Sequence, residues 1–472
     1  MSSVDTDSIL ESASKSGLFL VLRQIIVQLL NILTGFLLGR FLTPSEYAIN
    51  SIITIVIAFL LAFGGTGIAV SLIRKKEEPS SKEYEALGTI QMFVVAIFAV
   101  SIFFVAPYIS NTFSYGFQGS VVFRILAFSV LLVGLAIIPQ VKLERNLEFN
   151  KIAIIEVVQV VVYSSVVVVL TYLKFGILSF GYAILLRYVA GLIVTYRIQP
   201  WRPRLVFSFA EVAEHLRFGL YFQSSQIINL IKDTAVPLFI GTISGAAAVG
   251  YIAWATMVMN YPALAIIIFN RIYLPLFSRI APDKEKFHSL LNVLLTLTCS
   301  LVFFASSLIY VFRVEINLIL FKGAWTEALV LFLPFLFINI LLAPTMIVSQ
   351  AVYALGDSKS NFVLMILWTV STWLLVIVVL PRFGWKSWGW VNLMVNSFNL
   401  YMWWRLYDQS KFNVLKPIAI PAITTLMTVC LTFVLGEYNM GKAIIIVVLI
   451  GSFILLAVIN VRNLKILSEL KS

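Results

Sequence analysis

The chain is 472 residues long, 60% of them hydrophobic, and carries a formal net charge of +12. The apolar residues gather in runs near the roughly 20 residues a helix needs to cross about 30 Å of hydrocarbon, which describes a polytopic integral membrane protein. No stretch between runs is long enough for a soluble catalytic domain, and the positive charge sorts by membrane side instead of forming a nucleic-acid surface.

In chain order, hydropathy windows predict fourteen spans over 17–40, 47–72, 84–110, 119–141, 152–173, 175–196, 217–241, 247–270, 287–312, 326–354, 361–381, 384–404, 414–435 and 441–461. The first sixteen residues are polar and the run after them is too long for a signal peptide and lacks a small-residue cleavage site, so the first span is expected to stay as an anchor. With a cytoplasmic N-terminus, 23 basic residues face inward, among them Arg74, Lys75, Lys76 and Lys82, against seven on the opposite side. That is the positive-inside pattern, and it predicts that both termini are cytoplasmic. Cys299 and Cys430 fall within spans and read as small core residues, not as a disulfide or metal site.

An internal repeat organises these spans. The segment from Gly17 through Gln24, Ile25 and Ile26 in the first span matches Gly219 through Gln226, Ile227 and Ile228 in the seventh, with Asn31 falling on Asp233 and Gly39 on Gly241. Pro139 and Asn150 are echoed by Pro344 and Asn361. Six spans per unit is an even number, so the two units keep one orientation about an axis along the membrane normal, which is transporter architecture. The expected organisation is an N-lobe over 1–197, a cytoplasmic linker over 198–216 with a Ser208-to-Glu211 capping box, a C-lobe over 217–410, and two further spans with the C-terminus over 411–472.

Charge at membrane depth costs at least a few kcal/mol, so each such residue needs a partner or a wet cavity. Arg187, Lys232 and Asp233 lie nearest the middle of their spans, while Arg23, Arg124 and Glu156 lie nearer an end and can snorkel. Gln24, Gln28 and Asn31 share one face of the first span, and Gln226, Asn229 and Asp233 share one face of the seventh. By the repeat these two faces should look at each other across a central cavity with Arg23, Arg187 and Lys232 as its cations. Such a cavity suits an anionic headgroup, because arginine bonds phosphate through two donors and lysine acts as a point charge. Asp233 and Glu156 are candidates for a coupling proton or cation site; the same polar residues also serve as interhelical glue in membrane proteins.

Several strings resemble a known family. Arg40-Phe41-Leu42-Thr43-Pro44-Ser45-Glu46-Tyr47, Gly67-Ile68-Ala69-Val70-Ser71-Leu72-Ile73-Arg74, Leu147-Glu148-Phe149-Asn150-Lys151-Ile152-Ala153, Leu216-Arg217-Phe218-Gly219, Gly250-Tyr251 and Ala354-Leu355-Gly356 are similar, in that order, to the polysaccharide transporter family. These are the Wzx-like lipid-linked oligosaccharide flippases of the multidrug/oligosaccharidyl-lipid/polysaccharide export superfamily. The resemblance covers most of residues 10–410 and implies an all-α, MATE-like V-shaped pair of six-helix lobes in the bacterial inner membrane. It implies a non-enzyme that flips an undecaprenyl-diphosphate-linked oligosaccharide to the periplasmic leaflet by alternating access, without a cofactor and with coupling to H⁺ or Na⁺ left open. Partners would be the polyprenyl-diphosphate glycan, membrane lipids and other polysaccharide assembly proteins, with no nucleic acid. The rival readings are a cation-coupled multidrug exporter of the same superfamily, which would want an acidic or aromatic cavity, and a membrane polymerase or ligase, which would want a sizeable external loop. Tyr251, Trp254 and Tyr261 are open to either sugar stacking or aromatic core packing.

Overall fold

The computed structural model describes residues 6–64, 72, 78–146, 148–206, 208, 236–435 and 439–469, and its account of side chains begins at Arg23. Among the described residues there is no strand. Eleven helices among the described residues are long and apolar enough to cross a membrane. The three remaining predicted spans have separate explanations. The second is represented by a shorter apolar stretch over Pro44–Ala58, most of the seventh lies outside the described residues, and the twelfth is divided.

The first half contains α1 (Thr6–Phe41), α2 (Pro44–Gly64), α3 (Ser81–Thr112), α4 (Gly116–Arg145), α5 (Phe149–Tyr172) and α6 (Leu178–Ile198). After it come α7 (Val236–Ala263, ending in a 3₁₀ turn), α8 (Leu264–Ile280), α9 (Lys284–Val311), α10 (Phe332–Ala354) and α11 (Ser358–Phe383). The predicted twelfth span is the pair α12 (Trp388–Asn396) and α13 (Asn399–Ser410), interrupted at Ser397 and Phe398. Two further helices, α14 (Leu415–Leu435) and α15 (Asn439–Glu469), follow.

Local chemistry sets several of these starts. At α3, Glu83 donates its backbone N–H to Ser80 Oγ at 3.2 Å while Ser80 donates its own to the Glu83 carboxylate at 2.7 Å, a reciprocal capping box that satisfies two otherwise orphaned donors. Asp283 caps α9 through Lys286 N–H, and Asp357 caps α11 through Ser360 N–H. Pro139 and Pro344, paired by the sequence echo, are both buried within helices, α4 and α10. Large apolar side chains on α3, α11 and α15, such as Phe104, Leu374 and Val447, stay exposed on the protein, as lipid-facing side chains do.

By its internal contacts the chain divides into two units, Met1–Gly250 and Tyr251–Ser472. In the first, α3 and α4 share a core of Leu87, Val95, Val130, Ile137 and Val141. Gly250 of α7 lies so close to Pro44 at the start of α2 that a Cβ would fall 1.8 Å from the Pro44 carbonyl oxygen. The segment after α6 is extended and strapped to α3: Thr89 Oγ1 donates to the Arg204 carbonyl at 3.2 Å and accepts from Val206 N–H at 3.0 Å. Arg204 pairs with Glu85 at 3.9 Å, and the Trp201 indole packs onto Gly88. The predicted capping box runs into residues 209–216, which lie outside the described residues.

The second unit is held by α8, α9, α10 and α13, with Phe277, Leu291, Phe303, Ile347 and Leu406 in its core. Buried polar side chains bridge its helices. Asn339 Nδ2 donates to the Met259 carbonyl at 2.8 Å and to Ser306 Oγ at 3.0 Å, and Trp403 Nε1 donates to Thr345 Oγ1 at 2.8 Å. Trp254 is core: fully buried, it stacks on Trp325 at 4.9 Å and meets Phe321 edge-on, so its ring faces are occupied by protein. Cys299 is buried as expected, but Cys430 is exposed, because it lies off the α14 face that buries Pro421, Thr425, Thr428 and Thr432. His288 is half-buried, its Nε2 2.9 Å from the Ser410 carbonyl.

Candidate functional site

Three of the sequence-predicted charges converge in the first unit. Arg23 of α1 and Glu156 of α5, 133 residues apart, form an ion pair with Arg23 Nη1 2.5 Å from Glu156 Oε2. Glu156 in turn lines a cavity of about 280 Å³, with Arg187 of α6 on its wall. α5 also contributes Gln159, α4 contributes Gln140 and Glu144, and α1 contributes Val27, with Ile152, Ile155 and Val160 as the apolar part of the wall. The cavity therefore opens among α1, α4, α5 and α6, at the end of the unit where α4 finishes and α5 begins.

Helical spacing explains this arrangement. Gln140 and Glu144 are four residues apart on α4, and Glu156, Gln159 and Tyr163 follow one another at three and four residues on α5, so each set shares a face. Gly191, one turn beyond Arg187 on α6, has no side chain because Gln159 crosses there: a Cβ at 191 would sit 2.1 Å from Gln159 Nε2. The absent Cβ lets α5 and α6 close up and keeps Gln159 on the cavity wall.

Arg187 has a different setting from Arg23. Its guanidinium carbon lies 5.8 Å from the Tyr163 ring centroid and 5.5 Å from that of Tyr188, and its buried Nε has no hydrogen-bond acceptor among the described residues. Tyr163 is itself fixed by donating its hydroxyl to Asn50 Oδ1 of α2 at 2.9 Å. Aromatic faces attract the cation without neutralising it, so the charge stays available to a ligand in the cavity. Arg124 lies elsewhere on α4, with Phe103 5.1 Å beneath its guanidinium.

The remaining predicted site residues divide as follows. Gln24 makes a long contact, 3.4 Å, with Arg23 Nη2. Gln28 is half-buried and Asn31 exposed, and neither lines the cavity. Gln226, Asn229, Lys232 and Asp233 lie outside the described residues. The lining residues Gln140, Glu144 and Gln159 and the supporting Tyr163 and Asn50 were not singled out from the sequence. Helical spacing in the fifth span places Gln159 on the face of Glu156 and so carries a sequence signal, whereas Glu144 lies beyond the predicted fourth span and leaves Gln140 there without a spaced partner. Among the described residues no cluster of His, Cys, Asp and Glu could hold a metal ion.

What the cavity can do is bind a charged group at membrane depth, with one aromatic-backed arginine, two amides and two carboxylates facing it. Comparison with known proteins gives this geometry a context. Residues 37–330 match the family described as Polysaccharide biosynthesis protein, well over half of the 472-residue chain.

The chain belongs to the polysaccharide biosynthesis protein family.

The match spans all of α2 to α6, and with them every cavity-lining residue except Val27. The chain is similar to lipopolysaccharide biosynthesis protein WzxC of Escherichia coli (strain K12), 27% identical over 264 residues, covering 54% of this chain and 53% of that protein. It is also similar to succinoglycan biosynthesis transport protein ExoT of Rhizobium meliloti (strain 1021), 22% identical over 258 residues, covering 54% and 52%. The chain thus spans about half the length of the curated relatives it matches. Among solved structures, lipid II flippase MurJ in an inward closed conformation matches with a TM-score of 0.72 at 15% identity over 95% of this chain and 99% of the other. An inward-facing multidrug resistance MATE family transporter matches with a TM-score of 0.56 at 15% identity over 82% and 96%. At these identities the likeness shows the fold alone, that of a multi-pass, all-helical membrane protein.

Proposed function

We propose that the protein is a flippase that carries an undecaprenyl-diphosphate-linked oligosaccharide from the cytoplasmic to the periplasmic leaflet of the bacterial inner membrane, with both termini cytoplasmic. The observation that carries this reading is Arg187, a guanidinium in the middle of a membrane-spanning helix, without a carboxylate partner among the described residues, on the wall of a polar cavity. Family membership and the MurJ-like fold support it. A diphosphate and a hydroxyl-rich glycan cost many kcal/mol to drag through hydrocarbon, while the polyprenyl tail can stay in lipid. Arginine offers the diphosphate a fork of donors, and the amides of Gln140 and Gln159 offer neutral ones.

In this reading the lobes over 1–197 and 217–410 rock about a central site, joined by the linker over 198–216, with 411–472 outside the pair. Lys232 and the polar faces of Gln24, Gln28, Asn31, Gln226 and Asn229 complete the path, and Asp233 and Glu156 serve the coupling ion. The protein performs no covalent chemistry. The test is flipping of a labelled polyprenyl-diphosphate glycan in proteoliposomes under imposed proton and sodium gradients. Arg187→Ala and Lys232→Ala should each reduce flipping by at least tenfold, the equivalent of ~1.4 kcal/mol; full activity in both would refute the cationic site.

A multidrug exporter is the second reading, and Glu144 and Glu156 in the cavity are what favour it, since two carboxylates suit a cationic drug. Efflux of a cationic dye from the same proteoliposomes, abolished by Glu144→Gln and indifferent to Arg187→Ala, would decide for it.

A further inference from the structure

The two arginines of the site are not equivalent. Arg187 lines the cavity, whereas Arg23 does not, although Val27, one helical turn along α1, does. Arg23 therefore sits on the cavity's flank, and the group between it and the open space is the carboxylate of Glu156. The exposures agree with that order: the Arg23 side chain is 13% exposed and the Glu156 side chain 44%. The pair is also incomplete. Among the described residues only Arg23 Nη1 meets Glu156, through Oε2, while Nη2 makes just the 3.4 Å contact with Gln24 Oε1 and the buried Nε has no acceptor. A guanidinium can present two parallel N–H groups to one anion, so part of this donor set is unused.

We infer that Glu156 is a displaceable internal counter-anion, a placeholder that keeps Arg23 neutralised until a phosphoryl group enters the cavity and takes its place. This rests on the flippase reading and adds a step to it. A diphosphate first meets Arg187, whose charge is backed only by Tyr163 and Tyr188. Its second phosphoryl group then outcompetes Glu156 for Arg23, because it brings more charge and more acceptor oxygens to a fork that one carboxylate oxygen leaves half filled. The displaced Glu156 carboxylate faces a cavity already holding that of Glu144, and like-charge repulsion returns it to Arg23 when the anion departs. Empty, the site carries no uncompensated charge on Arg23; loaded, it has two arginines on one ligand.

A placeholder predicts an effect of unusual sign: removing it tightens binding. The full-length protein in lipid nanodiscs would be titrated with inorganic pyrophosphate as the probe, comparing wild type with Glu156→Gln, Glu156→Asp, Arg187→Ala and the double variant Arg23→Ala/Glu156→Gln. Glu156→Gln should bind about tenfold tighter than wild type, ~1.4 kcal/mol. It should also flip more slowly, because nothing drives the anion off Arg23. Glu156→Asp, with the charge kept and the reach shortened, should show a smaller gain, and the double variant should lose the gain entirely. Wild-type binding abolished by Arg187→Ala but unchanged or weakened by Glu156→Gln and Glu156→Asp would overturn the placeholder and leave the cationic site standing. No pyrophosphate binding by wild type or any Glu156 variant would overturn both. If Glu156→Gln is not monodisperse, Glu156→Asp alone decides, and weaker binding by it refutes the proposal.

Discussion

Replacing Gly250 by alanine tests the packing of the first unit where the structure leaves least room. The new Cβ would meet Pro44 at 1.8 Å from its carbonyl oxygen, 2.7 Å from its carbonyl carbon and 3.2 Å from its Cα, all backbone atoms that no rotamer change can move. Restoring ordinary contact at 3.4 Å requires α7 and the start of α2 to separate by roughly 3.4 − 1.8 = 1.6 Å. Overpacking typically costs about 1–3 kcal/mol, with an unyielding backbone at the upper end, while the gain in helix propensity returns ~1 kcal/mol. The net loss is about 2 kcal/mol, which lowers Tm by about 4–8 °C for a unit of this size. Gly451→Ala is the control, because a Cβ there meets nothing within 4 Å. Intrinsic tryptophan fluorescence during heating in nanodiscs reads both. A Gly250→Ala midpoint equal to that of Gly451→Ala would refute the close approach of α7 to α2.

Three further outcomes are expected. Tyr163→Phe keeps the ring under Arg187 and drops the bond to Asn50, so it should flip near the wild-type rate with stability lowered by at most ~1.7 kcal/mol, whereas Tyr163→Leu should slow flipping; equal rates would show that the ring does not position Arg187. Trp254→Ala should destabilise by about 3–5 kcal/mol, read as a fall in Tm, because it empties a fully buried stack against Trp325. Burial opposes ionisation of Asp357, but hydrogen bonds from Ser360 and Arg405 and the Arg405 charge outweigh it and hold the carboxyl at about 2. A depressed carboxyl contributes stability above its unfolded value near 3.9 and loses it as pH falls through about 2. After screening, that is about 1 kcal/mol at neutral pH. The Tm gap between wild type and Asp357→Asn should therefore close between pH 5 and pH 2, and a constant gap would refute the assignment.

The spans were legible because bilayer thickness imposes a length on every apolar run, and hydropathy reads that length directly. Breaks within a span were not: nothing in the apolar run around Met394 and Leu400 marks the interruption at Ser397 and Phe398, which depends on how α12 and α13 dock on α10. At the site, Arg23, Glu156 and Arg187 stood out because charge is rare at membrane depth. Their roles did not, since the Arg23–Glu156 contact joins residues 133 positions apart and no local spacing encodes it. Glu144 was masked by its neighbours Lys142 and Arg145, which made that stretch read as a topogenic loop edge. Trp254 illustrates the opposite case. Aromatic composition allowed either a sugar platform or core, and only burial on both faces separates them.

The strap over Gln199–Val206 has a practical bearing on how motion in this protein is measured. Because Thr89 holds both Arg204 and Val206, and Trp201 rests on Gly88, a probe attached at any of these positions reports on α3 and not on the connection to the second half. Distance measurements that use residue 201 or 204 as a reference therefore report the position of α3. A cysteine pair at positions 89 and 206 should likewise crosslink without arresting the flipping proposed above. An affinity tag or fusion partner inserted before Val206 would prise a docked segment off the helix that anchors it.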